Sequence, residues 1–341
     1  KTNPILIIDE PQSVEGKQTK ERLKEFNPLL TLRYSATHKA DSIYNMVYRL
    51  DAMEAYNKRL VKKIAVKGIT ESGSTATEGF VYLESINLSK ADPTATIQFD
   101  YIGAKGLRKK TATVGIGYNL YDNSGESGKL DEYKEGFVVK SIDGRDNSVE
   151  FLNGIKIFAG DVIGKVSEDQ LRRIQIRETI LSHLERERQL FHKGIKVLSL
   201  FFIDEVAKYK QYDEVGHPFN GIYADMFEEE YNDILNSMQR EIGDKDYIRY
   251  LDAISAHDTH AGYFSVDKKG KMTDSKLSDK KEGTSDDIDA YDLIMKNKEL
   301  LLDRDPKKSP VRFIFSHSAL REGWDNPNVF QICTLKQSSS E

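Results

Sequence analysis

Two adjacent carboxylates follow a short aliphatic stretch near the start of the sequence. Asp9 and Glu10 come directly after the apolar residues 5–8, in the segment ILIIDEPQ. An acidic side chain at the end of a strand is suited to hold Mg²⁺, which prefers oxygen ligands and keeps several of its waters. The neighbouring carboxylate can orient or deprotonate a water molecule that attacks a phosphate. By itself the pair does not identify a site, because acidic residues at strand ends also occur on solvated edges.

Two further segments contain polar residues that could complete such a site. The segment SATH at 35–38 ends a second apolar stretch, and ALREGWDNPNV spans 319–329. In the latter, Gly323 and Pro327 flank Asp325 and the only tryptophan of the chain, Trp324. Ligands of open α/β sheets lie at the carboxyl ends of the strands. The acidic pair and the segment SATH are both expected at such ends.

The elements that would position these residues begin with a first lobe at 1–66. Residues 4–9 predict a strand buried on both faces, typical of a parallel sheet, and 29–38 predict a neighbouring strand with its exit loop. Apolar residues at helical spacing predict a helix over about 41–60; they are Ile43, Met46, Val47, Leu50 and Met53.

A change of pattern predicts an antiparallel β-rich insertion at 67–165. Short alternating runs such as FVYLESINL, TATIQFDYIG and EGFVVKSI are separated by Gly, Asp and Asn. The segment VEFLNGIKIF at 149–158 contains an Asn-Gly pair between alternating strands, which is a strong hairpin signal.

The remaining residues, 166–341, predict a second α/β lobe. Ser167 and Gln170 form a capping-box pair at the start of a long helix that Gly194 ends. The predicted strands and helices that follow are strands at 195–204, 311–315 and 328–335, an acidic helix at 222–242, a loop at 265–287 and a helix near 285–303. The arginines of the long helix alternate with glutamates and indicate a solvated face; they are Arg172, Arg173, Arg177, Arg186 and Arg188. The fold class is therefore α/β, with two parallel-sheet lobes and a β-rich insertion.

Composition limits the classes of function. The chain has 341 residues, a net charge of −5 and one cysteine, so an intrachain disulfide and a Cys-rich zinc site are excluded. The absence of any long apolar run and of a recognisable signal peptide predicts a cytoplasmic protein without membrane spans. The negative net charge argues against general coating of nucleic acid, although a local basic groove remains compatible with it.

Taken in order, the acidic pair, the Ser-Ala-Thr segment and the Arg-Glu-Gly-x-Asp-x-Pro segment resemble motifs II, III and V of superfamily 2 helicases. More narrowly, DEPQ, SATH and REGWDNPNVFQICTL are similar to the restriction (Res) subunit of type III restriction enzymes. The segments YRLDAMEAYNKRLVKKIAVKGI (48–69) and HAGYFSVDKKGK (260–271) are similar to that family too. The resemblance implies two RecA-like lobes, the first one incomplete.

The resemblance also implies roles for individual residues. Asp9 would coordinate the Mg²⁺ of Mg-ATP, and Glu10 would activate the hydrolytic water. Gln12 stands where relatives often have histidine or aspartate, so its role is less defined. The segment with Ser35, Thr37 and His38 would couple the state of ATP to movement between the lobes. The residues implied to lie in the cleft, beside nucleotide and DNA backbone, are Arg321, Glu322, Gly323, Trp324 and Asp325.

By the same resemblance, the chain would be part of a motor that hydrolyses ATP on duplex DNA. Its partner would be a methyltransferase (Mod) subunit, and a separate nuclease domain would cut the DNA. The sequence contains no phosphate-binding loop of the form G-x-x-x-x-G-K-[ST], and no arginine-bearing motif VI follows motif V. We therefore expect an excised piece of a longer protein, with little or no ATPase activity of its own.

Several alternatives stay open from the sequence. The chain could belong to a type I restriction motor or a superfamily 2 repair helicase, or it could be a non-catalytic module that binds DNA or protein. His257 and His260 could indicate a metal site, but without a third ligand we favour ordinary polar contacts. The run Asp279-Lys280-Lys281 resembles half of a nuclease site, but it lies in a charged stretch that favours a solvated loop.

Overall fold

The structure is a computed structural model that describes residues 3–11, 16–35, 43–71, 79–104, 106–126, 128–238, 245–266, 271–273, 301–317 and 326–336. The chain divides into two compact units, Lys1–Lys67 and Gly68–Glu341. Within the described ranges, every helix is too short or too polar to span a lipid bilayer.

The first unit is built on a two-stranded parallel sheet. Strand β1 (Ile5–Asp9) leads through helix α1 (Lys17–Glu25) to strand β2 (Leu30–Tyr34). The strands pair in parallel, with Asp9 opposite Tyr34. Both predicted strands are thus confirmed, while α1 has no counterpart among the predicted elements. It supplies the crossover that a parallel pair requires.

The predicted burial of β1 on both faces is wrong. Ile5 and Ile7 are 59% and 65% exposed, whereas Leu6 and Ile8 are half-buried. Successive side chains of a strand point to opposite faces, so Leu6 and Ile8 lie on a face that contacts other residues, whereas Ile5 and Ile7 lie on a face exposed to solvent.

The predicted helix over 41–60 is also largely wrong. The described residues 43–50 are not helical, and Asn45 has a left-handed backbone with φ of 43°. Helix α2 (Ala52–Asn57) begins only where the Asp51 side chain accepts a hydrogen bond from the Glu54 backbone N–H, 2.8 Å away. This cap fixes the start of the helix and leaves most of the apolar periodicity outside it.

The second unit begins with two antiparallel sheets that confirm the predicted β-rich character of 67–165. The first has the strand order β3-β10-β4-β5-β6 and is antiparallel except where β10 pairs with β3. The second has the order β7-β8-β9, and its β8-β9 pair is the hairpin predicted from Asn-Gly. The strands are β3 (Thr70–Glu71), β4 (Val81–Asn87), β5 (Thr94–Gly103), β6 (Gly106–Val114), β7 (Val139–Asp143), β8 (Ser148–Phe151), β9 (Lys156–Phe158) and β10 (Asp161–Ile163).

A long helix and a parallel sheet form the rest of the second unit. Helix α3 (Glu168–Phe191) starts at the predicted capping box of Ser167 and Gln170. The sheet has the order β14-β17-β11-β18, all parallel, which confirms a parallel sheet in this part of the chain. Its strands are β11 (Leu198–Ile203), β14 (His260–Tyr263), β17 (Phe313–Ser316) and β18 (Val329–Leu335).

Shorter elements complete this sheet on its faces. Helices α4 (Ile222–Ser237) and α5 (Lys245–Asp252) pack with α3 around Phe201 and Phe313 in the main core. Two small antiparallel hairpins are β12 (Lys210–Tyr212) with β13 (Pro218–Asn220), and β15 (Ser265–Val266) with β16 (Met272–Thr273). The hairpin of β15 and β16 corrects part of the predicted loop at 265–287, because residues 265–266 and 272–273 pair as strands. The rest of that loop, and most of the helix predicted near 285–303, lie outside the described residues.

The predicted solvated arginine face of α3 is wrong for Arg172 and Arg177, which are both buried. Arg177 is 2% exposed, and its guanidinium pairs with Glu84 of β4. It also reaches Glu230 at 2.8 Å and Asp233 at 2.7 Å on α4. Helix α3 therefore lies between the antiparallel sheet and α4. The buried charge of Arg177 is stabilised by pairing with carboxylates rather than by water.

Candidate functional site

The carboxyl end of β1 places the acidic pair in an unusual backbone geometry. Strand β1 ends at Asp9, and Glu10 follows with φ of 47°, in the left-handed region that side chains other than glycine rarely adopt. The Glu10 backbone N–H donates to the Tyr34 carbonyl at 2.9 Å, so pairing with β2 continues through the bend. Strained residues of this kind are concentrated at functional sites.

Ser35 meets the acidic pair directly. Its Oγ donates to Glu10 Oε2 at 3.1 Å, across 25 residues of sequence. The cause is the parallel register: Asp9 lies opposite Tyr34, so the residues that follow both strands emerge at one edge. The expectation that the acidic pair and the first residue of SATH share this edge is confirmed by the geometry, although their chemical roles stay predictions.

The other predicted site residues lie outside the described residues. They are Gln12, Thr37, His38, Arg321, Glu322, Gly323, Trp324 and Asp325. The described chain resumes at Asn326, one residue beyond that last segment, and runs into β18. There the Asn328 side-chain amide donates to the Lys196 carbonyl at 2.7 Å, which fixes the entry of β18 beside β11.

The donor set at the end of β1 is suitable for Mg²⁺. Asp9 and Glu10 are exposed, and the contacting group from β2 is a hydroxyl, so all three side chains offer oxygen. A small number of carboxylate oxygens is enough for Mg²⁺, which completes its shell with water and substrate phosphates. The residues present therefore fit the ion that the resemblance implies.

A second cluster of potential ligands was only partly visible in the sequence. His257 and His260 meet Glu228 of α4, which stands 29 residues before the first histidine. Burial lowers the pKa of His260 to about 4, so its imidazole is neutral at physiological pH. Burial alone would raise the pKa of Glu228, but hydrogen bonds from His257, Asn220 and His260 outweigh it and hold that pKa below its usual value. The acidic periodicity of α4 gave no signal that would single out Glu228.

The fold and the site together define a mixed α/β protein with an acidic pair at the end of a parallel strand. No model of a known protein family matches the chain, and no solved structure matches it. Curated proteins do match. The chain is 34% identical over 348 residues to the EcoP15I Res subunit of Escherichia coli, and 33% identical over 344 residues to the EcoPI Res subunit of Escherichia phage P1.

A third relative extends the comparison to another bacterium. The StyLTI Res subunit of Salmonella typhimurium (strain LT2) is 28% identical over 378 residues. The three alignments cover 99%, 99% and 100% of this chain, but only 31%, 31% and 34% of the relatives. The chain is therefore homologous along its whole length to the Res subunits of type III restriction-modification enzymes, and it spans about a third of their length.

Proposed function

We propose that these residues form part of the ATP-driven DNA motor of a type III restriction enzyme. The observation that carries the proposal is the hydrogen bond from Ser35 to Glu10 at the ends of two parallel strands. It joins two of the predicted helicase motifs at one edge of a sheet, where open α/β sheets bind their ligands. The homology to Res subunits along the chain supports the same assignment.

In this proposal the acidic pair divides its work between nucleotide binding and water activation. Asp9 holds the metal ion of Mg-ATP, and Glu10 orients the attacking water and accepts its proton. Mg²⁺, when bound, neutralises negative charge on the phosphates. Ser35 holds the Glu10 carboxylate in position and, with Thr37 and His38, links the nucleotide site to lobe movement. Gly323 and Asp325, with their neighbours, contribute to the binding of nucleotide and DNA.

The proposed biological setting follows from the relatives. The motor moves or signals along duplex DNA together with a methyltransferase subunit, in the cytoplasm, before a nuclease domain cuts the DNA. The homology along the chain favours this setting over a type I motor or a repair helicase, because the similar proteins are all type III Res subunits.

The test is hydrolysis of ATP by a Res-type protein that contains this sequence, assembled with its methyltransferase on a recognised duplex. Glu10→Gln should reduce the DNA-stimulated release of phosphate by about 10²- to 10⁴-fold while leaving Mg-ATP binding close to normal, since only the base is lost. Asp9→Ala should instead weaken the Mg²⁺-dependent binding of ATP as well.

The matched control is Glu21→Gln, which removes an exposed carboxylate from α1 in the same unit. It should leave both binding and hydrolysis unchanged. Hydrolysis at the wild-type rate in Glu10→Gln or Asp9→Ala would contradict the assignment of this edge as the ATP site.

A further inference from the structure

Three side chains with metal-binding atoms converge in the second unit, far along the sequence from Asp9. Glu228 lies in α4, His260 opens the edge strand β14, and His257 precedes that strand. The three ligand atoms all lie within 4.8 Å of one another. Among the described residues, no other group of three His, Cys, Asp or Glu side chains comes together in this way.

Hydrogen bonding alone accounts poorly for the arrangement. A single carboxylate oxygen, Glu228 Oε1, is contacted by His257 Nδ1 at 3.0 Å, by His260 Nε2 at 3.2 Å and by the Asn220 amide at 2.8 Å. An oxygen of this kind offers about two lone-pair sites. Three nitrogens around this oxygen exceed that capacity. A cation bound by Glu228, His257 and His260 would instead use the carboxylate and both imidazoles as ligands.

Neighbouring groups hold the potential ligands in place. The Tyr209 hydroxyl lies 2.9 Å from Nδ1 of His260, on the side of the ring opposite the cluster. The Asn220 amide donates to Glu228. Metal-binding histidines are normally oriented by a hydrogen bond at their second ring nitrogen, and metal-binding carboxylates by further donors.

The burial of the three side chains leaves one side of the cluster open. The His260 side chain is 2% exposed, Glu228 is 25% exposed and His257 is 64% exposed. An ion can therefore enter from solvent past His257, while Glu228 and His260 are held in place on the less exposed side of the cluster. Three protein ligands with an open fourth position are the arrangement of zinc sites that retain a water or exchangeable ligand.

We propose that Glu228, His257 and His260 form a binding site for one divalent transition-metal ion, with Zn²⁺ as the best match. Two imidazoles and one carboxylate suit Zn²⁺ and its neighbours in the first transition row, whereas Mg²⁺ prefers an all-oxygen shell. The site is separate from the acidic pair of the first unit, and it does not depend on the proposed motor function. It joins α4 to the edge strand β14, so bound metal stabilises the contact between them.

The test is titration of the untagged, chelator-treated and dialysed chain with Zn²⁺, using isothermal calorimetry and thermal unfolding. The wild-type chain should bind one equivalent and melt at a higher temperature with Zn²⁺ than without it, because only the folded state offers the three ligands together. Co²⁺ should give the visible absorption of a low-symmetry site. The buried Cys333 should not compete.

Variants distinguish the site from general affinity for metals. His257→Ala removes an exposed ligand without disturbing the core, and should abolish both the one-to-one binding and the thermal shift. Glu228→Gln should do the same, and Tyr209→Phe should weaken binding by about 10- to 100-fold. His217→Ala is the matched control: it removes an exposed histidine that contacts Asp213 at 3.2 Å, and should change nothing. Absence of stoichiometric Zn²⁺ binding, or equal binding by wild type and His257→Ala, would overturn the proposal.

Discussion

At the scale of single residues, the backbone of Glu10 is the most telling feature of the first unit. A left-handed conformation at a residue other than glycine costs of order 1–2 kcal/mol. Here it follows a paired strand and is held by the bond from its own N–H to Tyr34 and by the bond from Ser35 to its side chain. This backbone conformation directs the Glu10 side chain to the edge shared with Ser35, so its conformational cost accompanies a fixed orientation of the carboxylate.

This geometry predicts that Ser35 acts through Glu10. In the complete Res-type protein, Ser35→Ala should lower the DNA-stimulated rate of ATP hydrolysis by about tenfold, which corresponds to about 1.4 kcal/mol. Added to Glu10→Gln, the same change should have less than about a twofold further effect, because the carboxylate that Ser35 positions is already gone. Steady-state phosphate release by the four proteins of this cycle is the measurement.

Ser35→Thr is the control, since it retains the hydroxyl and should keep most of the rate. Independent, multiplicative effects of the Ser35 and Glu10 changes would show that the observed hydrogen bond has no part in hydrolysis.

At the scale of elements, helix α3 connects the antiparallel sheets to the parallel sheet of the second unit. On one side Arg177 pairs with Glu84 of β4, and the Tyr82 hydroxyl donates to Glu178. On the other, Arg177 pairs with Glu230 and Asp233 of α4. A buried guanidinium surrounded by carboxylates fixes the position of α3 between two layers, because any shift would leave charges buried without partners.

The burial of Arg177 predicts a large effect on stability. Arg177→Met should reduce the free energy of unfolding of the second unit by about 3 to 5 kcal/mol, because Glu84 would remain buried without its cation and Glu230 would keep only its contact with Arg173. Urea denaturation followed by circular dichroism measures the change. Adding Glu84→Gln to Arg177→Met should cost less than the sum of the single changes, because one uncompensated charge is then removed.

Arg186→Met provides the comparison on the same helix. Arg186 is exposed, and its replacement should change the free energy of unfolding by less than about 0.5 kcal/mol. Equal effects at 177 and 186 would mean that the buried ion pairs contribute no more than a surface charge.

At the scale of the whole molecule, the two units differ in how they bury their strands. In the second unit the central strands β5 and β11 contribute Phe99 and Phe201, both fully buried. In the first unit, Ile7 of β1 and Leu30 of β2 are at least half exposed. Strands with little buried apolar surface open more readily than strands inside a core.

Hydrogen exchange should reveal this difference in the 341-residue chain. Backbone amides of Ile5–Asp9 should exchange at least about tenfold faster than those of Leu198–Ile203, after correction for the intrinsic rates of the unfolded peptides. Mass spectrometry of peptic fragments gives both rates in one experiment. Equal protection of β1 and β11 would contradict the stability difference that the exposure of β1 implies.

Much of the local structure could be predicted from the sequence. The Asn-Gly hairpin at 149–158 and the capping box at Ser167 depend on interactions within a few residues, so their patterns are visible in one stretch of chain. The strand before Asp9 pairs with a strand about 25 residues away, but its apolar run is also visible in one stretch. The meeting of Glu10 and Ser35 was also foreseeable, because parallel strands bring their carboxyl ends to one edge. The prediction of a helix over 41–60 was largely wrong, because the cap at Asp51 sets where the helix begins and Asn45 has a left-handed backbone.

The sequence by itself determined the order of the motifs, the alternation of the β-rich segment and the start of the long helix. Only the tertiary structure decided which distant side chains meet: Arg177 with Glu84, and Glu228 with His257 and His260. Periodicity defines the faces of one element, because it reflects the geometry of that element alone. Which face packs against which other element depends on the packing of the whole chain, and this is how a helix that looks solvated comes to bury an arginine.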